Sequence, residues 1–166
     1  MKLSTKGRYA VMAMVDLSLR NCGEPVTLCD ISERQEISLS YLEQLFSKLR
    51  RAGLVCSVRG PGGGYRLARE CSEISIAEII MGVDENIRAT RCRPNKPGGC
   101  RGDGSKCLTH DLWAALGDHT FRFLSNVSLD DVVKRRFCPA LAATSPLAVG
   151  VGQPSLTATV DSVAAE

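Results

Sequence analysis

Six consecutive residues, Arg59-Gly60-Pro61-Gly62-Gly63-Gly64, constrain the fold of this chain more than any other segment. Four glycines and a proline neither continue a helix nor suit a central strand, so the segment is a turn. It lies between two short extended runs, Leu54-Val55-Cys56-Ser57-Val58 and Tyr65-Arg66-Leu67, and reads as the tip of a hairpin.

Three helical patterns precede that hairpin. Ser4 or Thr5 caps the first, in which Ala10, Ala13, Met14 and Leu17 recur at helical spacing until Gly23 and Pro25 stop it. Thr27 caps a short second helix through Leu28, Ile31 and Glu33. Ser38 and Ser40 open the third, and Ser40 with Glu43 has the spacing of a capping box. Leu42, Leu45, Phe46 and Leu49 form its apolar stripe, and Gly53 ends it. The tight Glu36-Ile37-Ser38 turn marks a helix-turn-helix. With the hairpin added, residues 1–70 make a winged helix-turn-helix domain.

Farther along, Ser75 and Glu78 open a connecting helix within residues 71–91, through Ile79, Ile80 and Val83. Residues 92–110 read as a loop rich in Gly, Pro, Lys and Arg. Thr109 caps a longer helix from His110 to about Ser125, with Leu112, Ala115, Leu116, Phe123 and Leu124 as its apolar side. Ser128 with Asp131 gives a last helical turn. Residues 137–166 lack Lys and Arg, are rich in small and polar residues, and read as a flexible tail. The expected fold class is mainly α with a small β-hairpin. No run of about 18 uncharged apolar residues exists, which excludes a spanning helix. Ala10 to Leu19 is short and carries Asp16, so it is not a signal-peptide core either.

Charge divides along the same line. The net +3 resolves into +5 for residues 1–69 and −2 for residues 70–166. A basic amino-terminal half suits a polyanionic partner. In the third helix Ser38, Ser40, Tyr41, Glu43 and Gln44 are available to base edges, since Gln pairs with adenine and Glu accepts from cytosine. Lys48, Arg50 and Arg51 follow where phosphates would lie. Arg59 beside Gly60 offers a cation with close backbone access, as a minor groove requires. The alternatives are a solvated helix face and a plain structural turn. A phosphate-cradling nucleotide loop is disfavoured, because no Lys-Ser/Thr ending follows and the next element is a strand.

Eight cysteines in a chain without an export signal point to metal or redox chemistry rather than disulfides. Cys92, Cys100, Cys107 and His110 are spaced C-x7-C-x6-C-x2-H, a four-coordinate set for a soft or borderline metal. Cys107 and His110 share the start of a helix, where the dipole favours thiolate. Gly98, Gly99, Gly102 and Gly104 let the loop wrap closely, and Arg91, Arg93, Lys96, Arg101 and Lys106 can offset thiolate charge. Long gaps suit a [2Fe–2S] unit and zinc usually takes a shorter knuckle, but spacing alone leaves both open. One imidazole in place of a thiolate raises the potential of a cluster and adds a proton-dependent ligand. Of the remaining cysteines, Cys22, Cys29 and Cys56 read as small core residues, Cys138 as an exposed thiol, and Cys71 has no assigned role. His119 reads as a polar helix residue. An enzyme using Cys107 as nucleophile and His110 as base lacks a third orienting group, so catalysis is not expected.

These motifs together carry a resemblance. Lys6-Gly7-Arg8-Tyr9-Ala10, Asp30 to Gln35, Ile37 to Phe46, Arg59 to Tyr65 and Cys107-Leu108-Thr109-His110 are similar to the winged helix-turn-helix family of iron–sulfur cluster assembly regulators, over roughly residues 1–135. The resemblance implies a cytoplasmic homodimeric transcription factor holding a [2Fe–2S] cluster through Cys92, Cys100, Cys107 and His110, with the assembly machinery as cluster donor. It implies that Ser40, Glu43 and Gln44 face bases of an operator duplex, Arg59 enters the minor groove, and a dimerisation helix lies within 108–127. Family members of this type repress the cluster-assembly operon when loaded, and their apo form still binds a second operator class. Glu43 is the discriminator between operators in that scheme. The family pattern has shorter gaps between its first three cysteines than the x7 and x6 found here, and a loop is where such insertions are absorbed.

Overall fold

The Ser4 hydroxyl accepts a hydrogen bond from the Gly7 amide and starts α1, Thr5–Leu19. In the same way Thr27 accepts from Asp30 and starts α2, Leu28–Gln35. Such side-chain caps satisfy amides that the first turn leaves unpaired. The computed structural model describes residues 4–20, 24–87, 90, 92 and 99–136. The expected stop at Gly23, the cysteines at 22 and 138 and the expected tail at 137–166 lie outside these residues. Within them α1 has already ended at Leu19, with Arg20 as its carboxyl-terminal cap.

Glu36 turns the chain between α2 and α3 (Leu39–Arg51) with a left-handed φ of 54°. The amino-terminal cap of α3 is Ser38, so the expected capping box of Ser40 with Glu43 is not formed. Ser40 already sits inside the first turn, where its hydroxyl cannot bridge the helix entrance. Gly53 ends α3 as expected, at φ 70°. Its amide donates to the Arg50 carbonyl and the Leu54 amide to the Leu49 carbonyl, which is the paired-bond stop that favours glycine.

Strands β1 (Val55–Val58) and β2 (Gly64–Leu67) pair antiparallel, with Val55 opposite Leu67 and Val58 opposite Gly64. Val26 adds a bridge to Tyr65, through hydrogen bonds of 2.9 and 2.8 Å, and so ties the entrance of α2 to the hairpin. The backbone of Val26 comes so close that a Cβ on Gly64 would lie 2.4 Å from its carbonyl oxygen. Only glycine fits there.

A 3-10 turn at Cys71–Glu73 leads to α4, Ile76–Gly82; α5 (His110–Asn126) and α6 (Leu129–Val133) follow. Both expected capping boxes are present, Ser75 with Glu78 and Ser128 with Asp131. The two helix entrances are joined by a bridge between Ser75 and Ser128. The Ser75 amide, first, and Arg69 hold the Glu78 carboxyl below the usual carboxylate range.

One apolar core runs from Ala10 to Leu129 and includes Phe46, Ile79 and Ile80. Tyr65 packs edge-on to Phe46, with ring centroids 4.9 Å apart. No helix among the described residues is long and apolar enough to cross a membrane. Asp16 lies inside this core at 4% exposure, held by both Arg34 nitrogens (Nε at 3.0 Å and Nη2 at 2.8 Å) and by Arg20. Replacing Arg34 with Ala leaves that carboxylate buried without its main cation. The expected loss is about 3 kcal/mol of unfolding free energy, read by urea denaturation.

Candidate metal centre and nucleic-acid interface

The cysteine loop is folded by its own short-range hydrogen bonds. The Asp103 carboxylate accepts from the Ser105 amide and hydroxyl, at 2.8 and 2.7 Å. The Ser105 hydroxyl, ahead of its amide, holds the Asp103 carboxyl below its usual range. Gly99 donates to the Gly104 carbonyl and Arg101 to the Ser105 carbonyl. These bonds turn Cys100 back toward Cys107, whose amide donates to the Cys100 sulfur at 3.3 Å. A Cβ on Gly99 would lie 1.8 Å from the Ser105 carbonyl oxygen, so this return admits no side chain.

Cys107 and His110 are brought together by the start of α5, where the His110 amide donates to the Cys107 carbonyl at 3.0 Å. Thr109 occupies the capping position, but its hydroxyl does not bond the first-turn amides as expected. It accepts instead from the Trp113 indole at 3.0 Å and lies 3.9 Å from the Cys107 sulfur. Cys92 completes the group, with its sulfur 3.8 Å from that of Cys107. The ligand atoms of Cys92, Cys100, Cys107 and His110 all lie within 4.8 Å of one another. The sequence-predicted set thus converges, although Cys92 is fifteen positions from Cys107.

The chemistry of the group fits a metal or an iron–sulfur unit. His110 and Cys92 are buried, and Cys100 and Cys107 are half-buried. His110 Nδ1 is buried and has no hydrogen-bond partner among the described residues. A buried imidazole nitrogen without a partner is costly unless some group satisfies it. Burial, followed by the neighbouring thiols, pushes the Cys92 thiol up to about 11. Cys100 hydrogen bonding, ahead of that from Thr109, draws Cys107 below the ordinary thiol range. A metal removes the conflict by replacing the protons of all three thiols.

Other expected parts of the loop are placed differently. Lys106 faces Asp111 at 3.8 Å rather than a sulfur, and Arg101 is exposed. Arg91, Arg93, Lys96 and Gly98 lie outside the described residues. His119 is exposed and apart from the ligand group, as a polar helix residue should be. Cys29 and Cys56 are corrections, since both are exposed rather than in the core. Cys56 is on the outward side of β1 opposite Arg66, and α2 buries only Ile31. Cys71 is half-buried, and burial raises its thiol.

The nucleic-acid candidates gather on α3 and the hairpin tip. Ser38, Ser40, Glu43, Gln44 and Arg50 are exposed, whereas Leu42, Leu45, Phe46 and Leu49 are buried. Tyr41 is half-buried, edge-on to Tyr9 at 6.0 Å. Arg59 and Gly60 are exposed at the tip, where Gly60 has φ 110°. Sequence reasoning missed an ion pair here: Lys48 Nζ lies 2.9 Å from Asp84 Oδ2. Nothing local signals it, because the partners belong to different elements.

The expected apolar side of α5 divides. Leu124 packs on the core with Phe121, while Leu112, Trp113 and Leu116 are 61%, 40% and 41% exposed. Leu108, beside the ligand Cys107, is fully exposed.

Comparison with known proteins places the chain. A family profile described as Rrf2, iron-dependent transcriptional regulator, matches residues 3–135. The HTH-type transcriptional regulator IscR of Photorhabdus laumondii is 57% identical over 136 residues, covering 82% of this chain and 81% of that protein. The regulator of the same name from Escherichia coli K12 is also 57% identical over 136 residues, covering 82% of each. Among solved structures, T. potens IscR has a TM-score of 0.66 at 37% identity and covers 82% of this chain and 88% of its own. CymR, the global cysteine regulator of B. subtilis, has a TM-score of 0.67 at 32% identity, with 81% and 98% covered.

The loop geometry gives a test independent of DNA. Gly99→Ala is expected to lower metal content per chain severalfold without lowering thermal stability of the helical core. Gly102→Ala, where a Cβ meets nothing within 4 Å, is expected to change neither. Elemental analysis of the purified proteins reads both.

Proposed function

Since the chain belongs to the Rrf2 family of transcriptional regulators and is of the IscR type, we propose that it is a homodimeric sensor of iron–sulfur cluster status. Cys92, Cys100, Cys107 and His110 would hold a [2Fe–2S] cluster. In this reading the protein represses the cluster-assembly operon when loaded and binds a second operator class with or without cluster. The carrying observation is the convergence of the Cys92, Cys100 and Cys107 sulfurs and a His110 ring nitrogen to within 4.8 Å of one another. When bound, the cluster supplies a redox-active unit whose presence or loss distinguishes two forms of the protein.

The chain's own residues divide the work. The loop supplies three thiolates and one neutral imidazole, a set less negative than four thiolates. Residues 1–70 read operator DNA, with Ser38, Ser40, Tyr41, Glu43 and Gln44 toward bases in the major groove. Glu43 would reject operators that offer no donor to its carboxylate. Arg50 meets backbone phosphate, and Arg59, freed by Gly60, enters the minor groove. The exposed Leu112, Trp113 and Leu116 of α5 are apolar enough to face a second copy within residues 108–127. The protein acts in the cytoplasm, takes its cluster from the assembly machinery and catalyses no reaction.

Anaerobic purification tests the cofactor. A brown protein with equimolar iron and acid-labile sulfide supports the reading, and a colourless, zinc-loaded protein without iron overturns it. Cys92→Ala is expected to lose the cluster yet retain binding to one operator class, measured by fluorescence anisotropy. Loss of binding to every operator would sink the two-class scheme. Arg59→Ala is expected to weaken all operators, with the slope of log affinity against log salt shallower by about one.

A further inference from the structure

Lys48, Asp84 and Lys6 form a charge cluster that the proposed function does not use. Lys48 Nζ and Asp84 Oδ2 are 2.9 Å apart. Lys6, near the start of α1, is held below the ordinary lysine range chiefly by the neighbouring Lys48 ammonium. Asp84 is held below the ordinary carboxylate range chiefly by Lys48. Three elements meet here: the start of α1, the last turns of α3 and the residue just past the cap of α4. Lys48 alone pairs directly with Asp84, while Lys6 feels the Lys48 ammonium and the Asp84 and Glu85 carboxylates.

The helix stop at Asp84 is made by backbone atoms and leaves the carboxylate free for Lys48. Asp84 has φ 56°, in the left-handed region. Its amide donates to the Met81 carbonyl and the Glu85 amide to the Ile80 carbonyl, the same paired-bond stop that Gly53 makes at the end of α3. Glycine serves that stop without steric conflict, and the stop itself does not use a carboxylate. What the side chain adds is the grip on Lys48. Gly82 lets α4 come against the end of α3, since a Cβ there would lie 3.0 Å from Leu54 and 3.2 Å from Ala52. That approach fixes Asp84 beside Lys48.

Lys48 stands one turn beyond Gln44 and two beyond Ser40, on the helix face assigned above to the major groove. The duplex backbone borders such a face. Resting on that DNA reading, we propose that Lys48 forms a backbone-phosphate site whose resident counter-ion in the DNA-free protein is Asp84. A phosphate oxygen replaces the carboxylate on Lys48, and Asp84, 72% exposed, turns to solvent without disturbing the core. Asp84 is then a positioning residue that sets affinity for any duplex, and it stands at the head of the segment leading to Cys92.

The test uses the full-length protein and a mixed-sequence, fluorescein-labelled DNA duplex, titrated by anisotropy at several KCl concentrations. Lys48→Gln is expected to weaken binding and to make the salt slope shallower by about one. Asp84→Asn is expected to tighten binding roughly twofold to fivefold, the worth of one exposed ion pair. That gain should vanish when Lys48→Gln is also present. Asp84→Gly keeps the left-handed stop and should match Asp84→Asn. An unchanged salt slope in Lys48→Gln, or a gain from Asp84→Asn that persists beside Lys48→Gln, overturns the proposal and leaves the DNA reading standing. Failure of the unmodified protein to bind any duplex overturns both.

Discussion

Ala10, Ala13, Met14 and Leu17 have no exposed surface, and the helix that carries them packs against both parts of the chain. On one side of the sequence its neighbours are α2, α3 and β2, and on the other they are α4 and α6. Burying a large apolar side chain contributes about 1.5–3 kcal/mol, so this one stripe stabilises both parts together. The winged half and the downstream half therefore share a core rather than meeting at a separate interface. Asp16 belongs to the same helix, and its bond to Arg34 sets α2 against α1. The placement of α3, and with it the polar face of Ser40 and Gln44, follows from that seat.

Legibility in the sequence tracked how local each cause is. The caps at Ser4, Thr27, Ser75 and Ser128 were readable, because each depends on a hydroxyl and an amide three residues away. The same logic misplaced Ser40, since two serines compete for one helix entrance and the packing of Leu42 and Phe46 decides between them. It also misplaced Cys29 and Cys56, whose chemistry suits a core but whose faces point outward. Period-two alternation in a four-residue strand is too short to say which side is covered. The Asp16–Arg34 and Lys48–Asp84 pairs join separate elements and leave no spacing rule to read.

The grouping of Cys92, Cys100, Cys107 and His110 was legible for a different reason. Three thiols and an imidazole lie within nineteen positions, a density that points to one site. Spacing did not supply the path by which the loop returns. That path rests on the Asp103–Ser105 turn and on Gly99, where the backbone closes too tightly for any side chain. Nor did spacing reveal that His110 buries Nδ1 without a partner. That atom belongs to the fourth member of the group, and its burial is set by the fold rather than by the spacing.

Helix α5 joins this centre to the molecular surface. Its buried residues are His110, Ala114 and Gly117, so two of the three positions turned inward are small. Small residues let the helix axis approach α4 closely, and they leave its large apolar side chains on the outside. Leu108, Leu112, Trp113 and Leu116 are consequently exposed near Cys107 and His110 in sequence instead of covering the core. Trp113 is bonded through its indole to Thr109, the residue between those two ligands. The orientation of the exposed apolar face is thus set by the same helical turn that carries two of the four grouped residues. Cys107, His110 and the exposed Trp113 share one helical entrance, joined by the His110 amide to the Cys107 carbonyl and the Trp113 indole to Thr109.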